Sequence, residues 1–339
     1  MFAGLLEKLA LQRDLTTDEA ASAMAEVMAG RATQAQIGGL LVGLRLKGER
    51  PAEVVGFAST MRAHAVRLSR EYPEAFDTCG TGGDGAGTFN ISSVVAIVVA
   101  SCGVLVAKHG NRSVSSRCGS ADVFEALGVD VTAPPDRVER CLTDAGIAFL
   151  FAPTFHPSMR HAGQARRDLG LRTAFNLLGP LTNPAGARRQ LVGVPRPEMT
   201  ELVATALARL GSHRAWVVHG ADGLDELSTC GYTKVSECRA GLVHTFYVHP
   251  ADFGLRKTTL DALAGGTADD NATLTRNVLS GQGGPARDIV VLNAGAALLI
   301  AGVVATVREG MEQAIDAIDS GRSASTLARM ASCSRGEDA

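Results

Sequence analysis

Aromatic side chains are scarce in this 339-residue chain: one Trp, three Tyr and eleven Phe. Net charge is nearly absent as well, at −2 from 33 basic and 35 acidic residues. That balance leaves no basic face to neutralise a phosphate backbone, which argues against broad nucleic-acid binding. A charged content of 20% is also too low for a disordered polyelectrolyte. The seven cysteines (Cys79, Cys102, Cys118, Cys141, Cys230, Cys238, Cys333) are odd in number and form no C-x-x-C pair. A disulfide framework and a zinc cluster are therefore not expected, and free thiols in a reducing cytoplasm are. The first turns carry Glu7, Lys8, Arg13 and Asp14, with no apolar signal core. Two uncharged stretches, 85–107 and 289–307, approach a membrane span in length. The first holds Asn90, Ser92, Ser93 and Ser101 and reads as a buried helix followed by a strand. The second, with Asn293, Gly295 and Gly302, reads as a tightly packed core helix. Neither has a flanking aromatic belt, so no membrane association is expected.

Apolar residues, at 46%, and glycine, at 38 positions, are abundant. The length allows two to three ordinary domains, or one large domain with an appendage. Many glycines with few aromatics suit an α/β protein whose loops approach a ligand through backbone amides. Residues 1–70 read as helices throughout. Leu5-Leu6-Leu9 stops near Arg13-Asp14, and Thr17-Asp18-Glu19 opens a second run. Leu40-Leu41-Leu44 and Val54-Val55-Phe57-Met61 continue the spacing of three and four. From Tyr72 onward short β-branched runs at 104–107, 147–151, 190–194 and 215–219 predict strands. Helical runs at 91–102, 119–127, 135–145 and 197–210 separate them. The fold class expected is α/β: a small all-helical domain over 1–70, completed by a segment near 165–187, and a large α/β domain over 71–339. Its mostly parallel central sheet would be flanked by helices. Helices are predicted at 269–280, 287–304 and 306–319, with frayed residues after them.

Gly80-Thr81-Gly82-Gly83-Asp84-Gly85 satisfies G-x-G-x-x-G. A dinucleotide fold would need a good strand before it and an acidic residue about 20 positions on. Ala75-Phe76-Asp77-Thr78 is a poor strand, and residues 85–107 contain no carboxylate. No Gly-Lys dipeptide occurs, which excludes a Walker A loop. Thr88-Phe89-Asn90-Ile91-Ser92-Ser93 leads into the apolar helix, where Asn90 or a serine can cap and unpaired amides form an anion site. Lys108-His109-Gly110-Asn111-Arg112-Ser113-Val114-Ser115-Ser116 and Gly119-Ser120-Ala121-Asp122 follow. One such loop is equally a turn-rich linker; three in 43 residues point to a phosphate-rich ligand.

Together with Phe175-Asn-Leu-Leu-Gly-Pro-Leu-Thr-Asn-Pro and Asp222-Gly-Leu-Asp-Glu-Leu, these motifs resemble the anthranilate phosphoribosyltransferase family of tryptophan biosynthesis, over nearly the whole chain and in order. The resemblance implies transfer of the phosphoribosyl group of phosphoribosyl pyrophosphate to the amine of anthranilate, with magnesium (two ions per subunit) and a homodimer. Ser93 stands where threonine is common, and Arg117-Cys118 where a Lys-Ser type pair is common.

For the sugar diphosphate the resemblance implies Gly80, Gly83, Asp84, Thr88, Asn90, Ile91, Ser92, Ser93, Ser120 and the whole run from Lys108 to Ser116. The glycines permit close backbone approach, and Lys108 offers a mobile point charge that assists the leaving group. Asp84 cannot bind a phosphate directly and suits a ribose hydroxyl or a metal-bound water. Turn chemistry alone accounts equally well for Ser113, Ser115 and Ser116. Asp225 and Glu226 are the metal candidates, with the Ser92 hydroxyl added by the resemblance; two carboxylates plus phosphate oxygens suffice for magnesium. A solvated acidic turn is the alternative. Gly80, Asn111 and Arg166 are the anthranilate candidates, because guanidinium matches a carboxylate bidentately. Arg166 could instead form a surface ion pair with Asp168 or an i+4 partner. No catalytic base is visible. A pyrimidine nucleoside phosphorylase shares the fold and the Lys-and-serine phosphate loop but carries an added C-terminal domain. A nucleic-acid-binding relative would need a basic face that this composition lacks.

Overall fold

The structure, a computed structural model, describes residues 2–113 and 117–337. Four helices open the chain: α1 (Phe2–Ala10), α2 (Thr17–Met28), α3 (Gln34–Lys47) and α4 (Pro51–Ala63). Polar side chains set where α2 and α3 begin. Thr16 Oγ1 accepts from the Glu19 amide while the Glu19 carboxylate accepts from the Thr16 amide. Thr33 and Gln36 repeat this box at α3. Leu9, Met24, Val27, Leu40, Leu41, Leu44 and Phe57 fill the space between. The buried Glu53 carboxylate accepts the Leu15 and Arg50 amides at 2.8 Å each and meets Lys47 Nζ at 3.1 Å, which pins both ends of the bundle.

The remainder is built on a sheet of seven strands among the described residues: β1 (Phe76–Asp77), β2 (Val106–Gly110), β3 (Ile147–Phe151), β4 (Arg189–Gly193), β5 (Arg214–Gly220), β6 (Thr233–Arg239) and β7 (Leu242–Val248). Their order is β3-β2-β1-β4-β5-β6-β7. The first five run parallel, and β6 and β7 are antiparallel. The four strands expected from sequence lie within about three residues of their predicted bounds. Two features depart from that expectation. The segment 75–78, a poor strand by composition, contributes the central strand β1, because pairing on both sides replaces side-chain propensity. The β6–β7 hairpin lacks a long apolar run. It turns on Ala240 and Gly241, both with positive φ (51° and 79°), as a tight hairpin requires.

Helices α5 (Ile91–Ser101), α6 (Ser120–Ala126), α7 (Pro135–Asp144), α8 (Ala152–Phe155), α9 (Arg160–Leu169) and α10 (Met199–Arg209) lie between the strands. After them come α11 (Ala268–Leu279), α12 (Pro285–Ala301), α13 (Val307–Asp319) and α14 (Arg322–Arg335). The two uncharged stretches become α5 and α12, which pack on each other inside the α/β core. No helix among the described residues is long and apolar enough to cross a membrane. The frayed residues expected after 319 are instead helix α14. Its Leu327, Met330, Ala331 and Cys333 are buried. Small polar residues among them hide the helical period in the sequence. Helix α9 lies on α3: Gln34 donates to the His161 carbonyl at 3.0 Å and accepts the Ala165 amide at 2.9 Å.

The chain passes from β1 to β2 and β3 on one side, then crosses β1 to place β4 and β5 on the other. The carboxyl end of β1 is thus the topological switch point of the sheet, where neighbouring connections diverge and leave a crevice.

Candidate active site

The glycine loop leaves β1 at that point. The Thr81 amide donates to the Gly193 carbonyl at the end of β4 (2.9 Å), and Thr78 Oγ1 donates to the Ser92 carbonyl at the start of α5 (2.9 Å). Two glycines bring Asp225 close, and at Gly193 the contact requires glycine. A Cβ on Gly193 would lie 1.6 Å from the Asp225 carbonyl oxygen, and one on Gly80 would lie 2.9 Å from Asp225 Oδ2. Asp225, reached by the loop after β5, is therefore seated against the ends of β1 and β4. The far limb of the loop is held by the Thr88–Ala264 bridge and by the Gly265 amide donating to the Gly87 carbonyl.

Asn90 occupies the N-cap position of α5, but its side chain does not cap. Its Nδ2 donates to the Cys118 carbonyl at 3.2 Å, and its Oδ1 accepts from Asn271 at 2.9 Å. The capping and the unpaired amides expected from sequence are both corrected: the Asn90 side chain ties the loops together, while the Ile91 amide donates to the Phe89 carbonyl (2.7 Å) and the Ser93 amide to the Asn90 carbonyl (3.0 Å). The Ser92 amide instead faces the Glu226 carboxylate. Ser93 Oγ is buried without a hydrogen-bond partner among the described residues. Such an orphan hydroxyl marks a place for a polar ligand.

Asp84, Asp225 and Glu226 converge here. Burial pushes Asp225 up to about 7, and the Asp84 charge adds to it, while the Gly82 amide and Arg172 oppose. Glu226 is raised well above the carboxylate range by burial and by Asp225, against Lys108 and the Ser92 amide. Carboxylates crowded in this way call for a cation. No group of three or more His, Cys, Asp or Glu side chains among the described residues forms a ligand cage. A pair of adjacent carboxylates beside the glycine loop fits a hard cation that keeps waters and shares phosphate oxygens, as magnesium does.

Lys108 is not mobile, contrary to the expectation from sequence. It is buried, and its ammonium donates to the Thr78 carbonyl at 2.8 Å, because β2 runs beside β1 and aims the side chain under the loop. Beneath it the buried Asp77 carboxylate accepts from Asn183 Nδ2 (2.7 Å) and the His109 amide (3.2 Å). Burial raises Asp77 to about 6, with Lys108 opposing. The His109 ring lies against the Gly179 carbonyl at 3.0 Å, and burial beside His156 lowers its pKa to about 3. It presents no charge at neutral pH.

In the third loop, Ser120 Oγ accepts the Asn111 amide and donates to the Asn111 carbonyl, both at 3.2 Å. A Cβ on Gly110 would clash with that oxygen, at 2.3 Å. Arg112 is exposed and paired with Asp122 (2.9 Å) and Glu125 (2.8 Å). The Ser113 amide also donates to Asp122. Val114, Ser115 and Ser116 lie outside the described residues.

Arg166 does not form the surface ion pair open to it in the sequence. Asp168 accepts from Gln164 instead. The Arg166 guanidinium is half-buried, 5.9 Å from the centre of the Phe175 ring, with no carboxylate at ion-pair distance among the described residues. Burial lowers its pKa. Sequence reasoning missed Arg172. Its Nη2 donates to the Thr81 carbonyl at 3.3 Å, and its charge acts on Asp225 and Asp84. Nothing in the spacing marks it, since only folding brings residue 172 onto the glycine loop.

The chain matches the helical bundle domain of a glycosyl transferase family over residues 3–65 and the a/b domain of that family over residues 72–324. A relative from Moorella thermoacetica named anthranilate phosphoribosyltransferase is 55% identical over 330 residues, covering 97% of each chain. The crystal structure of anthranilate phosphoribosyltransferase from Thermus thermophilus is 45% identical, with a TM-score of 0.92 over 98% of this chain and 99% of that one. The Saccharomyces cerevisiae anthranilate phosphoribosyltransferase, solved in complex with PRPP and Mg, is 27% identical, with a TM-score of 0.90 over 98% of each.

Proposed function

This chain belongs to the anthranilate phosphoribosyltransferase family, and we propose that its switch-point cleft holds both substrates of that reaction. The enzyme transfers the phosphoribosyl group of 5-phosphoribosyl 1-pyrophosphate to the amine of anthranilate, giving N-(5-phosphoribosyl)anthranilate and pyrophosphate, a step of tryptophan biosynthesis. One observation carries the site assignment: Asp225 and Glu226 lie together near the start of α5, with the Asp84 charge acting on both, beside glycines that admit a ligand to the backbone.

In this reading the donor lies along the Gly80–Thr88 loop, the start of α5 with its orphan Ser93 hydroxyl, and the Lys108–Ser120 segment. Magnesium, held by Asp225, Glu226 and Ser92 with two ions per subunit, neutralises the diphosphate as it leaves. Lys108 holds Thr78 and the loop in place and adds fixed positive charge near Glu226. Arg166 takes the anthranilate carboxylate, and Gly80 and Asn111 flank the ring. The aromatic amine is neutral at pH 7 and attacks the anomeric carbon as that carbon's bond to pyrophosphate breaks, then loses its extra proton to water, so alignment rather than a protein base carries the step. His109 is neutral and buried, and has no part in proton transfer.

The helical domain comprises residues 1–70 with the segment near 165–187, and the α/β domain residues 71–339. The α9–α3 contacts support that division. The protein works as a homodimer in the cytoplasm, a compartment that suits seven cysteines with no disulfide among the described residues.

The test is loss of anthranilate fluorescence with 5-phosphoribosyl 1-pyrophosphate and magnesium. Release of free base from thymidine or uridine in phosphate, with anthranilate untouched, would assign a nucleoside phosphorylase instead.

A further inference from the structure

Arg172 has no place in the machinery derived so far, yet its surroundings are unusual. A Cβ on Gly83 would fall 1.3 Å from its Nη1, so the tip of the guanidinium meets the loop end-on, at a residue whose φ of +75° favours glycine. The side chain is half-buried, and one nitrogen holds Thr81. No carboxylate stands at ion-pair distance among the described residues, although Asp225 and Asp84 attract it from farther off.

Arg172 also feels repulsion from Arg196 and Arg45. These two line a crevice of about 620 Å³ between the end of α3 and the start of α10. Glu49, Glu198 and Glu201 also line it, and Arg196 pairs with Glu198 at 3.3 Å. Arg45 has no carboxylate at ion-pair distance among the described residues. The charges of two crevice guanidinium groups thus act on Arg172, which itself touches the glycine loop. A polyanion beside Arg172 would relieve that repulsion.

We propose that Arg172 binds the outer phosphate of the diphosphate group, with Arg45 and Arg196 attracting that group through the crevice. The proposal rests on the donor assignment above, and its ligand class is a magnesium-bound diphosphate. Guanidinium suits the task because its planar fork can hold Thr81 with one edge and phosphate oxygens with another.

The experiment titrates inorganic pyrophosphate with magnesium into the full chain by calorimetry, without anthranilate. Arg172→Gln is expected to weaken binding about ten- to a hundredfold, the loss typical of a charge-assisted pair. Arg172→Lys should recover part of it, because charge survives while the fork does not. Arg45→Gln and Arg196→Gln should each weaken binding about two- to fivefold and flatten its dependence on salt. In steady state Arg172→Gln should raise KM for the donor and leave KM for anthranilate unchanged. Pyrophosphate affinity within about twofold of wild type, or a rise in anthranilate KM alone, would overturn the proposal. If Arg172→Gln fails to fold, by circular dichroism, the lysine variant decides: full wild-type affinity overturns and partial loss supports. Failure of the wild type to consume anthranilate would sink the functional assignment, while the calorimetry still judges Arg172.

Discussion

Asp225→Asn should stabilise the ligand-free protein at pH 8 while damaging the enzyme. In the folded state the Asp225 carboxyl titrates near 7 rather than at its ordinary 3.8. The folded protein therefore binds a proton more tightly than the unfolded chain between about pH 4 and pH 7, and this group lowers stability as pH rises through that window. A gap of about 3 units at about 1.4 kcal/mol each gives about 4 kcal/mol for a dry site. The cleft is half open, and solvent screening reduces this to about 2 kcal/mol. Asparagine keeps an oxygen for the Gly82 amide and carries no charge for Asp84 to repel. In a chelator at pH 8 the thermal midpoint should rise by about 2 °C, and below about pH 4 the two proteins should coincide. With magnesium and pyrophosphate the order should reverse, because wild type gains more from binding. A variant no more stable than wild type at pH 8, or equally stabilised at about pH 4, would refute the crowding argument and return the residue to a solvated turn.

Two further outcomes are expected. Arg166→Ala should raise KM for anthranilate by about ten- to a hundredfold and spare that for the donor, in steady-state assays with each substrate varied, since it removes a charge-assisted pair with the carboxylate. Gly193→Ala places a methyl group 1.6 Å from the Asp225 carbonyl oxygen. It should cost about 1–3 kcal/mol of stability and most of the activity, whereas Gly4→Ala, with nothing within 4 Å, should leave activity intact and melt no lower.

Much of the molecule is legible locally. The capping boxes at Thr16 and Thr33, the four longer parallel strands and the glycine loops are written in residues a few positions apart. Asp225 and Glu226 also stand out as an adjacent pair whose glycine-rich setting draws notice. Other features have no such local signature. β1 is two residues long and contains a buried aspartate, and it becomes the middle of the sheet because Val106 and Arg189, far along the chain, bring strands to both its edges. Asn90 looks like a helix cap, yet Cys118 and Asn271 claim its side chain. Lys108 reads as a mobile cation and is fixed beneath the loop by Thr78. Arg172 has no motif around it and acquires its position only when the segment after α9 is laid against Gly83. Periodicity and capping arise from groups within a turn or two of each other, so sequence alone determined them. Burial, charge crowding and the choice of hydrogen-bond partner depend on which distant segments meet, and only the tertiary structure decided those.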